Sequence, residues 1–470
     1  MKNLERDLAR LIGEDALRRG QDASPYNHDS TEMQGLRGHA DAVVAPSSVE
    51  AIQTLVSWCA KRGIPIVPRG GGTGFAGGAV PVDGGVVCSL ERLNRIRRFD
   101  PELWRIEVEA GVTTGRVHLA ALKSGLLFPP DPGASEQSQI GGNIATNAGG
   151  PRSFKYGVTG AFVTGLEAVV REGELIRVGG AFRKDVAGYD LVHLLTGSEG
   201  TLGIIVSAWL RLVPAPEDVR VVVAAYRDID EGVDAILRVP GSGLVPVSLE
   251  FFDPGCVRAC RATLPVEIPD DTRFLVVSEC DGGAGEAERV AAEVADALGA
   301  ESVRAVLSGQ ARLAELARWR DGIGYAVRTI RGGKMSEDVA VPLDALPALI
   351  KETIEIGGRH SLPACSWGHA GDGNVHATFM IDPSSTAEVE RAWRAADELF
   401  LRTLALGGTV SGEHGLGWVK RSQFARQFGP LERELQRGIK TLFDPAGVFN
   451  PGKKVSESAG GPPRGSGAEE

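Results

Sequence analysis

The order of apolar and polar positions along the chain predicts an α+β protein. Residues 42–45 form a short apolar run that reads as a strand, and apolar residues then recur every three or four positions from Val49 to Cys59, as on one face of a helix. Ser47 and Glu50 have the spacing of a capping box at the start of that helix. Residues 64–67 supply a second strand after Gly63, which suits a helix end.

The same reading assigns further elements along the chain. Strands are predicted at residues 86–90, 104–108, 221–225 and 274–278, and helices at residues 114–122, 286–298 and 387–406. One more helix is predicted within the first 36 residues and another just before Phe443. The region up to Pro216 is otherwise predicted as strands and turns, because it is rich in glycine.

Changes in composition mark the expected domain boundaries. Pro214-Ala215-Pro216 separates a strand-rich region from one in which helices and strands alternate. We therefore expect an N-terminal helical segment at 1–36, a first domain at 37–216, a second α+β domain at 217–361 and a C-terminal segment at 362–455. Residues 456–470, rich in Gly, Pro, Ser and Glu, are expected to be a disordered tail.

Composition and charge exclude several classes of protein. The net charge of -10 argues against a general nucleic-acid surface, which needs clustered Lys and Arg. The charged first residues do not resemble a signal peptide, and no apolar run is long enough to span a membrane, so we expect a cytoplasmic protein. The six cysteines lack a C-x-x-C pair, which predicts reduced, mostly buried thiols and no iron–sulfur cluster.

Three glycine-rich segments dominate the first domain. Residues 69–78 follow a strand, and consecutive glycines there allow backbone N–H groups to converge on phosphate oxygens. Gly72, Gly74 and Gly77 formally match a dinucleotide fingerprint, but a strand rather than a helix follows, so a pyrophosphate loop without a Rossmann helix is predicted. The alternative is a mobile glycine turn. With the loops at 141–150 and 197–205, the pattern favours one large extended cofactor.

A second constellation lies near the C-terminus. His369 and His376 occur in the glycine-punctuated run 368–376, and Glu413-His414 occur in the run 411–415. Imidazole and carboxylate together suit a divalent metal such as zinc, and two His with one Glu leave a coordination position open for substrate. The adjacent His414 is then available as a base. The alternative is a set of buried histidines that only satisfy hydrogen bonds.

These motifs resemble those of the FAD-dependent oxidases and dehydrogenases of 2-hydroxy acids. That group includes the FAD subunit of glycolate oxidase, D-lactate dehydrogenase and D-2-hydroxyglutarate dehydrogenase. The resemblance runs from about Asp41 to Lys453 and includes, besides the segments above, the runs 155–159, 187–191, 443–445 and 450–453. It implies an α+β fold of the vanillyl-alcohol-oxidase type, with a PCMH-type two-part FAD-binding domain, an α+β substrate or cap domain and a small C-terminal helical segment.

The resemblance also implies roles for individual residues. FAD is expected to be held without a covalent bond by Pro68, Arg69, Gly70, Gly71, Gly72, Thr73, Gly74, Gly78, Pro132, Ser138, Gly141, Gly142, Thr146, Asn147, Gly149, Gly157, Val158, Glu199, Gly200, Ile204, Ile205 and Asn450. A divalent metal, zinc first and manganese or iron as alternatives, is expected on His369, His376 and Glu413. His414 matches the catalytic base, and Arg320 matches an arginine that binds the substrate carboxylate.

The implied reaction is oxidation of a 2-hydroxy acid to the 2-oxo acid, with hydride transfer to FAD. Relatives that act on D-2-hydroxyglutarate carry a lysine six residues before a proline that corresponds to Pro342. Here that position is Ser336, with Lys334 nearby, and Gly324 stands where a threonine contacts substrate. This departure favours a small monocarboxylate such as D-lactate or glycolate.

Alternatives stay open at this stage. One is an FAD oxidase of the same fold that acts on another alcohol or amine; another is a metal-dependent hydrolase, or a subunit that only binds FAD and carries electrons. The electron acceptor is not specified by the sequence, and oxygen, a quinone, a flavoprotein or an iron–sulfur subunit would each serve. A homodimer is also left open.

Overall fold

The computed structural model describes residues 2–455, which form two compact units of discontinuous sequence. Unit 1 consists of the chain up to Gly149, Val158–Ala215 and the chain from Glu413 onward. Unit 2 consists of Gly150–Gly157 and Pro216–Gly412. The tail that the sequence predicts to be disordered, residues 456–470, lies outside the described residues.

Unit 1 begins with a four-stranded sheet that carries the first glycine segment. Its strands are β1 (Leu17–Arg18), β2 (Ala42–Val44), β3 (Ile66–Arg69) and β4 (Val86–Ser89). Their order is β1-β2-β4-β3, with β4 parallel to both β2 and β3. The C-terminal segment returns to this sheet, because the N–H of Ile66 donates to the carbonyl of Val448 (2.7 Å) and Phe449 is fully buried in its core.

A second sheet of unit 1 is entirely antiparallel and has the order β5-β6-β10-β8-β9. Its strands are β5 (Ile96–Asp100), β6 (Arg105–Glu109), β8 (Val163–Val169), β9 (Leu175–Gly179) and β10 (Ile204–Arg211). Two short strands, β7 (Leu126–Leu127) and β11 (Val213–Pro214), form a separate two-stranded sheet. β10 begins at Ile204, within the third glycine segment, so the end of that segment is part of a central strand.

Unit 2 is built on one seven-stranded antiparallel sheet of order β15-β12-β14-β13-β17-β18-β16. Its strands are β12 (Asp218–Tyr226), β13 (Ser248–Phe252), β14 (Phe274–Gly282), β15 (Val303–Leu307), β16 (Gly333–Ala340), β17 (Ala364–His369) and β18 (Asn374–Ile381). One buried apolar cluster includes residues of these strands together with Trp319 and Ile323 from a long helix.

The α-helices connect and cover these sheets. They are α1 (Lys2–Ile12), α2 (Val49–Ala60), α3 (Thr114–Leu122), α4 (Ile140–Thr146), α5 (Ser153–Tyr156), α6 (Leu191–Leu195), α7 (Ile229–Gly241), α8 (Pro254–Cys260), α9 (Glu286–Leu298), α10 (Gln310–Thr329), α11 (Leu346–Arg359), α12 (Thr386–Ala405), α13 (Phe424–Gln427) and α14 (Pro430–Phe443). Across residues 2–455, no helix combines the length and the apolar character that a membrane span needs.

Short 3-10 helices fill many of the remaining connections. They are Glu14–Ala16, Gly20–Asn27, Ser30–Gln34, Pro101–Leu103, Thr159–Phe162, Arg171–Gly173, Arg261–Thr263, Leu343–Ala345, Ala370–Asp372 and Arg421–Gln423. The six cysteines are all free and buried, which confirms the prediction of reduced thiols.

Most long elements confirm the sequence prediction, and three details are wrong. α2 is capped by Ser48, whose hydroxyl accepts from the N–H of Ala51 (3.2 Å), so Ser47 is not the cap. The strand predicted from Trp104 begins one residue later, because Trp104 has a left-handed conformation (φ 54°). The region before Pro216 also contains α4, α5 and α6, where only strands and turns are predicted.

Candidate active site

The first glycine segment follows β3 and is held from behind by Arg69. This side chain is buried, and its guanidinium donates to the carbonyls of His28 (2.7 Å) and Pro25 (3.0 Å). A Cβ on Gly72 would lie 2.1 Å from Nη2 of Arg69, and Gly72 has φ +70°, so only glycine fits there. Arg69 therefore supports the segment through backbone carbonyls, which is a different contact from the cofactor contact that the resemblance implies.

The first and second glycine segments lie against each other. A Cβ on Gly70 would lie 3.5 Å from Cα of Gly142, and one on Gly71 would lie 2.1 Å from the carbonyl oxygen of Gln137. Around Gly74 and Gly78, in contrast, a Cβ would meet no atom within 4 Å. The segment thus has one face closed by backbone and one open face where a flat or charged group can approach the main chain.

The second segment is a short helix rather than the loop that its glycines predict. Ile140 and Ile144, four residues apart, are both fully buried and anchor α4 against the core. The helix ends at Asn147, which has φ 53° and whose side-chain oxygen accepts from the N–H of Gly160 (2.8 Å). Thr146 lies in the last turn and Gly149 follows the helix, and their contacts with the cofactor stay predictions.

A chain of buried hydroxyl and amide groups supports this helix. The hydroxyls of Thr114 and Ser138 are 2.7 Å apart, and the side-chain amide of Asn143 donates to the hydroxyl of Thr114 (2.6 Å). Pro132 lies in the same connection between β7 and α4, while Val158 precedes the 3-10 helix Thr159–Phe162 and follows Gly157. Ser138 is therefore engaged within the protein.

The third glycine segment closes onto the C-terminal part of unit 1. The carboxylate of Glu199 accepts from the backbone N–H groups of Leu416 (3.1 Å) and Gly417 (2.6 Å) and from Nζ of Lys454 (2.8 Å). Gly200 has φ +66°, and a Cβ there would lie 3.2 Å from Pro68. Glu199 thus has a structural partner for each oxygen, and Ile204 and Ile205 start the buried strand β10.

Two C-terminal side chains fix the end of the first segment. The amide of Asn450 donates to the carbonyls of Gly78 (3.1 Å) and Glu199 (2.9 Å). Lys453 donates to the carbonyls of Gly78 and Val80, both at 2.8 Å. Burial lowers the pKa of Lys453 to about 7, against the nearby negative charges. The three segments and the C-terminus therefore form one supported backbone surface, and this surface fits a large cofactor such as FAD.

His414 belongs to unit 1 and lies beside the first segment. Its imidazole stacks on the ring of Phe75, with ring centroids 4.8 Å apart and an interplanar angle of 29°. Glu413 lies next to Gly149, where an added Cβ would come within 2.6 Å of a carboxylate oxygen of Glu413. The close fit at Gly149 explains why a glycine is needed there, and it brings Glu413 to the end of the second segment.

The two histidines of the first run lie together in unit 2. His369 ends β17 and His376 lies in β18, and their rings are perpendicular with centroids 5.6 Å apart. The nearest ligand nitrogens are within 4.8 Å of each other. Trp367, which is the cross-strand neighbour of His376, has its ring 5.9 Å from the imidazole. Two imidazoles in this arrangement fit a divalent metal by donor chemistry.

A buried polar network holds the loop that leads to Glu413. The carboxylate of Asp338 accepts from the amide of Asn374 (2.6 Å) and from the hydroxyl of Ser411 (3.1 Å). A Cβ on Gly412 would lie 2.0 Å from Nδ2 of Asn374. Glu413 follows Gly412 in the chain. The network therefore fixes the backbone immediately before Glu413 through side chains of β16 and β18.

Arg320 lies on α10 near the same sheet. Its side chain is 28% exposed and donates to Asp321. Burial acts to lower the pKa of Arg320, but the negative charges of Glu250, Asp321 and Glu279 outweigh it and raise that pKa. Glu250 in turn contacts His369 (2.7 Å between Oε1 and Nδ1).

Three contributors to unit 2 are missed by the sequence reading. Glu250 and Asp338 are almost fully buried carboxylates within strands, and Trp367 faces His376. A charged residue inside an apolar strand such as residues 248–252 is the signal that would have revealed Glu250. Asp338 has no such signal, because it follows the polar residues Ser336 and Glu337 in β16.

A second group of potential ligands has a structural explanation. Asp253, Cys256 and Cys365 are buried and close together. Asp253 caps α8 and accepts from the N–H groups of Gly255 and Cys256, both at 2.9 Å, and from Ser366 (2.7 Å). Burial raises the pKa of Asp253 to about 6, and these hydrogen bonds oppose the rise. Its oxygens are thus engaged as a helix cap.

Comparison with known proteins accounts for both parts of the chain. Residues 40–179 match the family described as FAD binding domain, and residues 215–454 match FAD linked oxidases, C-terminal domain. Glycolate oxidase subunit GlcD of Bacillus subtilis is 34% identical over 92% of this chain and 92% of its own length. D-lactate dehydrogenase of Archaeoglobus fulgidus is 36% identical over 88% of this chain and 91% of its own.

A solved structure of p-cresol methylhydroxylase with substrate bound has the same fold. It matches with a TM-score of 0.79 at 20% identity, over 97% of this chain and 96% of that chain. At this identity the likeness concerns the fold alone, and it confirms the expected α+β, PCMH-type architecture. Together with the family matches over both parts, it follows that this chain is an FAD-binding oxidoreductase and belongs to the family of FAD-linked oxidases.

Proposed function

We propose that the protein oxidises a small 2-hydroxy acid of the glycolate or D-lactate type to the 2-oxo acid. The observation that carries the proposal is the facing pair His369 and His376, in a chain that also contains the adjacent pair Glu413-His414. The relatives named glycolate oxidase subunit and D-lactate dehydrogenase support this substrate class.

FAD, when bound, accepts the hydride from the substrate's α-carbon. We assign its binding to the backbone surface of unit 1, on the open side of Gly74 and Gly78, where an added Cβ would meet no atom within 4 Å. Backbone N–H groups of a glycine-rich segment can bind phosphate oxygens. Asn450 and Lys453 keep this backbone in place through the carbonyl of Gly78. The other residues that the resemblance implies, from Pro68 to Ile205, stay proposed contacts of the cofactor.

A divalent metal, zinc first, is assigned to His369, His376 and Glu413, where it would lower the pKa of the substrate hydroxyl. Zinc suits two imidazoles and one carboxylate, because that set leaves a position open for substrate; manganese and iron are the alternatives. The donor chemistry supports this assignment, since the Glu250 contact engages Nδ1 of His369 and Nε2 is therefore the candidate donor atom of that ring.

His414 is the proposed base. It takes the proton of the substrate hydroxyl on a ring nitrogen while the α-carbon loses its hydride, so one proton and one hydride leave the substrate together. Stacking on Phe75 restricts rotation of the imidazole. Arg320 is proposed to bind the substrate carboxylate, because its planar guanidinium offers two parallel N–H donors.

A second candidate substrate is a 2-hydroxy acid with another carboxylate, such as D-2-hydroxyglutarate. The observation that favours it is the ammonium of Lys334, which lies 5.0 Å from the centre of the Trp367 ring. Ser336, in contrast, has its hydroxyl paired with that of Thr378 (2.6 Å). Substitution of Lys334 by Met distinguishes the candidates, because it should weaken binding of a dicarboxylate and leave glycolate oxidation unchanged.

The electrons are proposed to leave reduced FAD to a separate acceptor, and a quinone, a flavoprotein or an iron–sulfur subunit are the candidates. The Bacillus subtilis relative is named as a subunit of glycolate oxidase, which supports a partner protein for this chain. A cytoplasmic location and a homodimer stay predictions.

The test is anaerobic bleaching of the flavin absorbance by D- and L-2-hydroxy acids, with and without a chelator. We expect rapid bleaching by glycolate or D-lactate, which the chelator removes and which His414→Ala slows by about 100- to 10,000-fold. His360→Ala is the matched control, since His360 pairs with Glu398 (2.8 Å) on another surface. A flavin that no 2-hydroxy acid bleaches would contradict the proposed substrate class.

A further inference from the structure

Glu250 is a carboxylate in a place where a strand would ordinarily carry an apolar side chain. It lies in the middle of β13, between Leu249 and Phe251, and is 3% exposed. Removing a carboxylate from water is costly unless it has charged or hydrogen-bonding partners. We therefore expect specific partners that stabilise the Glu250 carboxylate in this buried position.

The first partner of Glu250 is His369. The two residues are directly opposite each other in the antiparallel pair β13–β17, and Oε1 of Glu250 lies 2.7 Å from Nδ1 of His369. An ionised carboxylate only accepts hydrogen bonds, so Nδ1 of His369 carries the proton. In this tautomer the other nitrogen, Nε2, is unprotonated and can act as a metal ligand.

A second group that responds to the charge of Glu250 is the guanidinium of Arg320. The negative charge of Glu250 acts on Arg320 together with the charges of Asp321 and Glu279. Glu279 lies on the same face of the sheet, because Ser248 pairs with Glu279 and Glu250 with Val277 in the β13–β14 register. Glu250 thus forms a hydrogen bond with His369, and its negative charge acts on Arg320.

We propose that Glu250 is a positioning residue, which fixes His369 in the Nδ1–H form and thereby presents Nε2 for metal binding. A carboxylate behind a ligand histidine also makes the imidazole a stronger donor and fixes the plane of its ring. The inference rests on the proposed metal site. It adds the residue that orients one ligand.

The decisive variant is Glu250→Gln, which keeps the size of the side chain and removes its charge. The free amide also offers an N–H₂ group toward Nδ1, which favours the opposite tautomer of His369. We expect zinc affinity, measured by competition with a chromogenic chelator, to fall about 10- to 100-fold. Glu279→Gln is the matched control: it removes a like charge from the same sheet face and should leave zinc affinity within about twofold of the wild type, well below the range expected for a ligand support.

A second readout does not depend on metal. Nitrogen-15 NMR of histidine-labelled, metal-free protein reports which ring nitrogen is protonated, and His369→Ala identifies the resonances of His369. We expect the Nδ1–H form in the wild type and in Glu279→Gln, and loss of that preference in Glu250→Gln. An unchanged tautomer together with unchanged zinc affinity in Glu250→Gln would overturn the inference.

The outcomes separate this inference from the proposed function. A wild type that binds no zinc contradicts the metal site, whereas the NMR signal still tests the bond between Glu250 and His369. If Glu250→Gln does not fold, Glu250→Asp replaces it, because Asp keeps the charge but its carboxylate is one methylene farther from Nδ1. With Glu250→Asp, wild-type zinc affinity and a wild-type tautomer would overturn the inference, and loss of both would support it.

Discussion

Units 1 and 2 differ in the groups with which each would bind a ligand. Unit 1 offers backbone: three glycine-rich segments, with Glu199, Asn450 and Lys453 supporting them from behind. Unit 2 offers side chains on a rigid antiparallel sheet, with His369 and His376 on neighbouring strands. A large cofactor needs many weak contacts along its length, while a metal needs a few donors at fixed angles.

This difference indicates which substitutions should remove binding at each kind of site. A backbone site tolerates loss of one side chain but not the addition of a Cβ where two segments touch. A side-chain site tolerates small shifts of the backbone but not the loss of one donor or of the group that orients it. Apart from Glu413, a proposed metal ligand that belongs to unit 1, substitutions in one unit should therefore leave the property of the other unit intact.

The largest effect is expected from His369→Ala. Removing one of the proposed metal ligands should abolish zinc binding and slow flavin reduction by about 1000-fold, or roughly 4 kcal/mol of activation free energy. The flavin content of the purified protein should stay at the wild-type level, because no part of unit 1 is changed. Stopped-flow absorbance measures the rate, and loss of flavin in this variant would break the separation between the units.

A complementary loss is expected from Gly71→Ala. The new Cβ would lie 2.1 Å from the carbonyl oxygen of Gln137, so the first segment must move away from the connection that leads into α4. Flavin content should fall strongly and the free energy of unfolding by about 1–3 kcal/mol, with zinc affinity unchanged. The Gly133→Ala variant, at a position with open space around the Cβ, should change neither property.

Gly74→Ala sharpens the same test. Its Cβ meets no atom of the protein within 4 Å, so the free energy of unfolding of the cofactor-free protein should not change. If the open side of the segment receives FAD, the affinity for FAD should still fall, and a titration of the cofactor-free protein measures it. Wild-type affinity in Gly74→Ala would show that this side of the segment is not used.

A smaller effect is expected from Glu199→Gln. This change removes the charge that accepts from two backbone N–H groups and from Lys454, and it should lower the free energy of unfolding by about 1–3 kcal/mol. Denaturant titration of the variant against Glu102→Gln, an exposed position, gives the size of the effect. Equal stability of the two variants would mean that the C-terminal contact is replaceable by water.

The smallest effects are expected at helix caps, one in each unit. Ser48→Ala in unit 1 and Asp228→Ala in unit 2 each remove a side-chain acceptor at a helix start and should cost about 1 kcal/mol. Calorimetry then shows whether the two units unfold together or in separate transitions. Ser47→Ala is the control, since Ser47 is exposed and is not the cap.

Two helices with a clear apolar period could be predicted to the residue. Thr114–Leu122 and Glu286–Leu298 have the bounds that their spacing predicts, because burial of one face determines both the helix and its ends. α4 could not, because its glycines suggest a loop and only the burial of Ile140 and Ile144 stabilises a helix there.

The site was only partly visible in the sequence. Rare residue types in repeated surroundings, such as the histidines at 369, 376 and 414, stand out by themselves. Their supports do not: Glu250 lies 119 positions before His369, and only the pairing of β13 with β17 brings them together. The excursion of residues 150–157 into unit 2 has no signal in composition, since it depends on contacts such as the hydroxyl of Tyr156 with Asp281 (2.6 Å).

The return of the C-terminal segment to β3 has a consequence for the order of events during synthesis. The hydrogen bond between Ile66 and Val448, and that between Gly78 and Asn450, can form only after residues 448–450 have been synthesised. The first glycine segment therefore lacks these contacts until that part of the chain has left the ribosome. Unit 2 is continuous from Pro216 to Gly412 except for eight residues made earlier, and can fold before then. Cofactor loading is thus expected to be among the last steps of this protein's maturation.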